Sequence, residues 1–279
     1  MLNLISTPIG NLNDISLRAI EALKSADYIF AEDTRNAKKL LNFIDCRSKC
    51  SSFHEHNEKK VTNLIVKKLI EDQNLEIVII SDAGTPAISD PGYHLIQECI
   101  NHKINFSHIP GPSSIISAVV LSGLPTSSFT FLGFVPKKKN QKVEFMRSLK
   151  KYSETIILFE SGKRLPETIQ YLFEEYSQHN KISLCREMTK IHEATWRGNC
   201  SEILAELRTN GVKKNQFSRG EIVVIINLSK QKEFLTLDKE FEFWLKTLKP
   251  HVKSSVLAKI LSEKFGKNRQ AVYSEFLKH

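Results

Sequence analysis

The apolar run Glu76-Ile77-Val78-Ile79-Ile80 ends abruptly in Ser81-Asp82-Ala83-Gly84-Thr85-Pro86-Ala87-Ile88-Ser89-Asp90-Pro91-Gly92, and a helical pattern follows from Tyr93 to Ile100. A short apolar run of this length, bounded by turn residues, reads as a strand. Glycine, proline, threonine and aspartate at its carboxyl end bring bare backbone to the edge where open α/β sheets bind ligands. Two further segments have this shape: Ser6-Thr7-Pro8-Ile9-Gly10-Asn11 after Leu2–Ile5, and Pro110-Gly111-Pro112-Ser113-Ser114 after Ile104–Ile109. Three such turns imply one crevice lined by backbone and suited to a nucleotide-like ligand. None has the G-x-x-x-x-G-K-[ST] or G-x-G-x-x-G spacing, so the ligand need not be a nucleoside triphosphate or a dinucleotide.

The alternation extends over the first 120 residues. Strands read at 2–6, 27–32, 50–54, 76–81 and 104–109, and helices at about 15–25, 35–43, 58–72, 92–101 and 113–122. The series predicts a mainly parallel, doubly wound sheet. Gly123 to Ser128 reads as a hinge. A second α/β series follows, with strands at 129–134, 155–159, 182–186, about 191–197 and 221–228, and helices near 139–151, 164–176 and 200–208. After Lys232 the pattern is helical: 241–248, 256–265 and 269–277, with Gly266-Lys267-Asn268 as a tight turn between the last two. That arrangement is helix-turn-helix-like. The expected division is an N-terminal α/β domain (1–122), a second α/β domain (123–232) and a helical extension (233–279). A cleft between the two α/β domains is where a cofactor would sit.

The formal net charge of +9 favours a polyanionic partner. Lys137-Lys138-Lys139, with Lys142, Arg147, Lys150 and Lys151 beyond, is the densest basic region, and Lys213-Lys214 before Arg219 extends it. It reads either as a solvated face or as a contact for RNA phosphates. Residues 236–279 carry nine Lys/Arg against five Asp/Glu, compatible with nucleic-acid contact or a solvated helical cap. Neither a secretory leader nor a membrane span is read, and the five cysteines form no expected disulfide framework, so a cytoplasmic protein is expected. Cys46, Cys50, His54 and His56 lie close in sequence but lack usual zinc spacing, and no metal site is expected.

Ser6 to Leu12, Ala31-Glu32-Asp33-Thr34-Arg35, His54-Glu55-His56-Asn57, the 81–92 turn, Pro110-Gly111-Pro112-Ser113, Gly123-Leu124-Pro125, Arg186-Glu187-Met188-Thr189-Lys190 and Arg219-Gly220-Glu221 resemble the ribosomal RNA small-subunit methyltransferase I family, within the tetrapyrrole-methylase superfamily. The resemblance implies two α/β domains with S-adenosylmethionine in the cleft between them, a homodimer, and methylation of a cytidine 2′-hydroxyl in the decoding region of small-subunit ribosomal RNA. By resemblance, Pro8, Gly10, Asp82, Gly84, Thr85 and Ser113 belong to the cofactor cleft. The alternative is that the glycines and prolines only shape turns.

Glu32, Asp33 and Arg35 at a strand end can bind a hydroxyl and a phosphate; equally, Asp33 can cap the following helix with Arg35 solvated. A ribose hydroxyl is a weak nucleophile, so transfer gains from alignment and from a base. Glu32, Asp33 and His54 are the candidates, and Arg35 with Lys137, Lys138 and Lys139 the candidate RNA contacts. Phe159-Glu160-Ser161, Arg186-Glu187 and Arg219-Gly220-Glu221 are placed by resemblance on the other cleft wall, or else form buried Arg–Glu ties. Lys163 stands before Arg164 where the family commonly has histidine, which argues against a base there. The alternative activity is methylation of a small tetrapyrrole, although those relatives usually open with Gly-x-Gly-x-Gly-Asp.

Overall fold

The computed structural model describes residues 1–176, 180–208, 220–228, 244, 247–266, 268–270 and 272–273. They fall in two compact units, Met1–Ser229 and Lys230–His279.

The first unit contains two five-stranded sheets. Strands β1 (Leu2–Ile5), β2 (Tyr28–Ala31), β3 (Cys50–Ser52), β4 (Ile77–Ile80) and β5 (Phe106–Ile109) form the first, in the order β3-β2-β4-β1-β5. Every pairing in it is parallel. β1 and β4 are buried at all four positions, as apolar strands with helices on both faces must be. Between the strands run α1 (Leu17–Ser25), α2 (Thr34–Phe43), α3 (Glu58–Glu71) and α4 (Tyr93–Asn101). Their apolar sides build one core on each face of the sheet, around Leu23, Ile29 and Leu40 on one and Leu69, Ile77 and Leu95 on the other.

The second sheet contains β6 (Phe129–Phe134), β7 (Thr155–Ser161), β8 (Lys181–Arg186), β9 (Ala194–Asn199) and β10 (Glu221–Asn227), in the order β6-β7-β10-β8-β9. Only β6 and β7 run parallel; the other pairings are antiparallel. Helices α6 (Lys139–Ser148), α7 (Leu165–Glu175) and α8 (Cys200–Glu206) cover one face. The strand expected at 191–197 begins at Ala194, because Glu187 to Glu193 is taken up by successive turns, with Lys190 N–H donating to the Glu187 carbonyl and Glu193 N–H to that of Lys190.

Helix α5 (Ser114–Ser122) joins the two sheets. Its N-cap Ser113 accepts from the Ile116 N–H, and Gly123 ends it at φ 69°, a left-handed cap that glycine adopts without strain. Ala118, Val119 and Leu124 pack on Ile157, Cys185, Val223 and Ile225 of the second sheet, with Ile9 and Ile115 against the same cluster. The helix after the third strand-end turn therefore covers the open face of the other sheet, and the ligand edge of the first sheet faces the second.

In the second unit α9 (Ser254–Phe265) buries Leu257, Ala258 and Leu261 with Val272, and Trp244, Leu248 and Phe265 pack around them. Gly266 closes α9 at φ 62°. The expected helices at 241–248 and 269–277 lie largely outside the described residues, as do Lys213, Lys214 and Arg219. No helix among the described residues is long and apolar enough to cross a membrane.

Candidate active site

The parallel register brings the carboxyl ends of β1, β2, β4 and β5 to one edge, and the three turns interlock there. The Thr7 N–H donates to the Gly84 carbonyl at 2.8 Å and the Gly84 N–H to the Thr7 carbonyl at 3.0 Å. The Ser6 hydroxyl lies 2.8 Å from that of Thr85 and 3.0 Å from His108 Nε2. A Cβ on Gly111 would lie 3.1 Å from the Ser6 carbonyl oxygen, so the third turn also requires a bare backbone.

A cavity of about 490 Å³ opens on this edge. Ile9, Glu32, Asp82, Gly84, Thr85, Asp90 and Ser113 line it from the first sheet's side, and Phe129, Phe131, Phe134, Phe159, Glu187 and Glu221 from the second's. Of the residues expected at the site, the fold brings Glu32, Asp82, Gly84, Thr85 and Ser113 together on the wall. Pro8 and Gly10 are not lining residues; the turn they shape presents Ile9. Gly10 instead packs against the 188–190 segment, where a Cβ would come 2.9 Å from the Met188 carbonyl oxygen and 2.6 Å from Thr189 Oγ1. The Asn11 N–H donates to the Thr189 hydroxyl beside it, at 3.0 Å.

Asp33 has a local task. It caps α2, accepting from the Arg35 N–H at 2.8 Å, and its carboxylate binds the Arg35 guanidinium from Nε at 3.0 Å and Nη2 at 2.6 Å. Those bonds hold its carboxyl down at about 2. Asp33 does not line the cavity, and Arg35, though exposed, is engaged by it. His54 is also absent from the lining. Its N–H donates to Asn57 Oδ1 at 2.8 Å, and its buried Nδ1 has no hydrogen-bond partner. Lys142 is a correction to the basic run. It is 2% exposed and donates to Glu167 at 2.7 Å, so α6 turns it inward while Lys137, Lys138 and Lys139 stay in solvent.

The electrostatic character of the cavity comes from carboxylates. Asp82 accepts from the Asp33 N–H at 2.9 Å and the Asn36 amide at 3.1 Å, which fixes it against β2. Burial raises the Glu32 carboxyl pKa, and the charge of Asp82 adds to the rise. Asp90 is pushed up to about 7, by burial first and then by the charge of Glu32. These carboxyls resist ionisation because each faces another in a partly dry cleft. Asp90 is not among the expected residues, since aspartate in Ser-Asp-Pro-Gly reads as an ordinary turn former. Four non-glycine residues around the cleft, Ala87, Ser89, Glu187 and Thr189, adopt left-handed backbone, with φ from 49° to 66°. Backbone strain of this kind collects at functional sites.

On the second sheet Glu160 is fully buried and pairs with Arg164 at 2.6 Å, with the Thr168 hydroxyl donating to it at 2.6 Å. That is a structural tie, while Phe159 and Glu187 face the cavity.

Known proteins with the same architecture include diphthine synthase, with a TM-score of 0.59 at 12% identity over 81% of this chain and 88% of that one. Another is uroporphyrin-III C-methyltransferase from Thermus thermophilus, solved with S-adenosylhomocysteine, with a TM-score of 0.54 at 14% identity over 81% of this chain and 96% of that one. Sequence relatives are nearer. The ribosomal RNA small subunit methyltransferase I of Halalkalibacterium halodurans is 40% identical over 89% of this chain and 81% of its own length. That of Thermotoga maritima is 41% identical over 81% of this chain and 97% of its own length. The model of the tetrapyrrole (corrin/porphyrin) methylases matches residues 1–204. By that match and by identity to these relatives, the chain belongs to the tetrapyrrole methylase family and, within it, to the ribosomal RNA small subunit methyltransferase I proteins.

Proposed function

We propose that this chain transfers the methyl group of S-adenosylmethionine to the 2′-hydroxyl of a cytidine in the decoding region of small-subunit (16S) ribosomal RNA. The observation that carries the reading is a carboxylate-lined cleft at the strand ends of a chain belonging to this family. The cleft suits the cofactor's charge. Glu32 and Asp90 are carboxyls whose ionisation is disfavoured by burial first and then by a neighbouring carboxylate, Asp82 for Glu32 and Glu32 for Asp90, and a cationic sulfonium among them relieves that cost. The left-handed Gly84 and the backbone of the three turns would hold the uncharged parts, with Asp82, Thr85 and Ser113 beside them. Pro8 and Gly10 would act indirectly, by fixing the turn that presents Ile9.

When bound, the cofactor supplies a methyl group already activated on a positively charged sulfur. The chain's own groups then align the ribose and accept its proton as the oxygen–methyl bond forms. Of the proposed bases Glu32, Asp33 and His54, only Glu32 lines the cavity, and Asp90 joins it. A carboxyl poised near 7 is matched to proton transfer at neutral pH. Lys137, Lys138 and Lys139 supply exposed positive charge for RNA phosphates.

The wider proposal is a cytoplasmic homodimer. Ile116 and Val120, a helical turn apart on α5, are 52% and 73% exposed, which is the kind of apolar surface a second copy would cover. We also propose that a joint near Gly123 separates two α/β domains and that residues from 233 form a helix-turn-helix-like domain touching RNA. The test is transfer from labelled S-adenosylmethionine to small ribosomal subunits lacking the modification, followed by nucleoside analysis. Label in 2′-O-methylcytidine is expected. No label on subunits or naked RNA, with cofactor binding intact, would overturn the reading in favour of a small tetrapyrrole substrate.

A further inference from the structure

Strand β6 departs from the alternation of a regular strand. Residues two apart share a face, so Phe129 and Phe131 point the same way and Phe134 would point the other. The register with β7 slips between them: Phe131 pairs with Ile157, but Phe134 pairs with Phe159, leaving one extra residue in β6. Gly133, inside the irregularity, takes φ 71°. This is a bulge, and bulges re-aim side chains. Its effect is to return Phe134 to the cavity beside Phe129, Phe131 and Phe159. Phe131 and Phe134 both stand edge-on to Phe159, with ring centroids 4.8 and 5.1 Å apart.

Phe131 and Phe159 are half-buried against the core beneath α5, but the outer two rings are open. Phe129 is 38% exposed and Phe134 is 51% exposed, an unfavourable placement for large apolar groups unless something covers them. From Phe134 the chain passes through Val135 and Pro136 directly into Lys137, Lys138 and Lys139. Arg164 anchors that link, donating to the Val135 carbonyl at 3.0 Å while paired with buried Glu160. Across from the bulge, Ser89 Oγ lies 3.8 Å from where a Gly133 Cβ would be, so the loop that carries Asp90 abuts the same strand. Open π-faces followed at once by cations are the chemistry that holds an unstacked nucleotide, the base on the rings and the phosphate on the lysines.

We propose that the Phe129–Phe131–Phe134 wall receives the base of the target nucleotide, turned out of the RNA and stacked on Phe134, with its flanking phosphates on Lys137–Lys139. The inference rests on the RNA-methylation reading and adds how substrate enters. A recessed ribose hydroxyl can meet Glu32 or Asp90 only if its nucleotide leaves the RNA stack.

The experiment compares wild type with Phe134→Leu, which keeps apolar bulk but has no ring face, and Phe134→Trp, which restores one. Affinity for S-adenosylmethionine is measured by calorimetry on the free protein, and kcat/KM on unmodified small subunits. Phe134→Leu is expected to lower kcat/KM by about ten- to a hundredfold, the range of one base–aromatic stack. Its cofactor affinity should stay within about twofold of wild type, the scatter of an unaffected site. Phe134→Trp should recover most of the rate. A parallel loss of cofactor affinity would put the cofactor's adenine on this wall and overturn the proposal, as would unchanged methylation by Phe134→Leu. A wild-type protein that methylates no RNA would instead defeat the underlying reading.

Discussion

Thr7 and Gly84 exchange both backbone hydrogen bonds although the strands that lead into them are parallel neighbours. The two segments turn toward each other past Ile5 and Ile80, so one edge of the cavity is stitched by this main-chain pair, with the Ser6 and Thr85 hydroxyls and the Thr7 hydroxyl on the Ser81 carbonyl beside it. Gly84 reaches that geometry at φ 81°. Space is not the constraint, because an added Cβ would meet Ile9 Cγ2 at 3.6 Å and the Pro112 carbonyl oxygen at 3.9 Å, ordinary contact distances. The constraint is conformational.

Gly84→Ala is therefore expected to cost about 1–2 kcal/mol of stability, the penalty of a left-handed alanine. Cofactor affinity should fall with it, because the shifted backbone is the proposed binding surface. Urea unfolding and calorimetric titration read the two effects. An unchanged midpoint with unchanged affinity would remove this turn from the site.

Gly10 is constrained in the opposite way. Its backbone is ordinary, but a Cβ would lie 2.9 Å from the Met188 carbonyl oxygen and 2.6 Å from Thr189 Oγ1. Thr189 is already left-handed at φ 66° and has little freedom to retreat. Gly10→Ala should destabilise by about 1–3 kcal/mol through overpacking where the loops of the two sheets meet. Weaker cofactor binding should accompany it, and a thermal melt no lower than wild type would argue against so close an approach.

How far the sequence discloses this molecule depends on whether a feature is local. The apolar runs at Leu2–Ile5 and Ile77–Ile80, and the small-residue turns after them, name the parallel sheet and its ligand edge because both follow from neighbouring residues. Asp90 is different. Its raised pKa comes from burial and from Glu32 at the end of another strand, and nothing in Ser89-Asp90-Pro91 reports that neighbour. Lys142 reads as one more lysine in a basic run, and only packing against α7 turns it toward Glu167. Phe134 reads as the far face of β6 until the bulge is counted. Gly133 is the available signal, since a glycine inside an apolar strand marks such an irregularity.

Asp90 predicts a pH dependence of both stability and rate. Well below about pH 4 the carboxyl is protonated in folded and unfolded chains alike. Between there and about 7 the unfolded chain gives up the proton while the folded chain keeps it, so Asp90's contribution to stability falls as pH rises. Asp90→Asn should thus raise the melting temperature of the ligand-free protein at about pH 8 and leave it near wild type at about pH 4. If Asp90 accepts the ribose proton, the same variant should lose about 10²–10⁴ in kcat, and wild-type kcat/KM for S-adenosylmethionine, which reports the ligand-free carboxyl, should climb through about pH 7. A melting-temperature difference independent of pH would contradict the raised pKa.

The lysines separate surface charge from buried charge within one short stretch. Lys137, Lys138 and Lys139 are exposed, so replacing all three with alanine should leave the melting temperature unchanged and lower RNA affinity. The logarithmic salt slope should shrink by about 0.7–0.9 for each phosphate no longer neutralised. Lys142→Ala should do the reverse. Its side chain is 2% exposed, its ammonium bonds Glu167 at 2.7 Å, and it sits 5.8 Å from the Tyr171 ring centre. Removing it empties a packed slot and breaks that ion pair, yet Glu167 is 55% exposed and regains water. A loss of about 1–2 kcal/mol is expected rather than the larger cost of orphaning a wholly buried charge. RNA affinity should keep its wild-type salt slope. A reduced slope in Lys142→Ala, or an unchanged one in the triple variant, would show that the charge meeting RNA is not the Lys137–Lys139 segment.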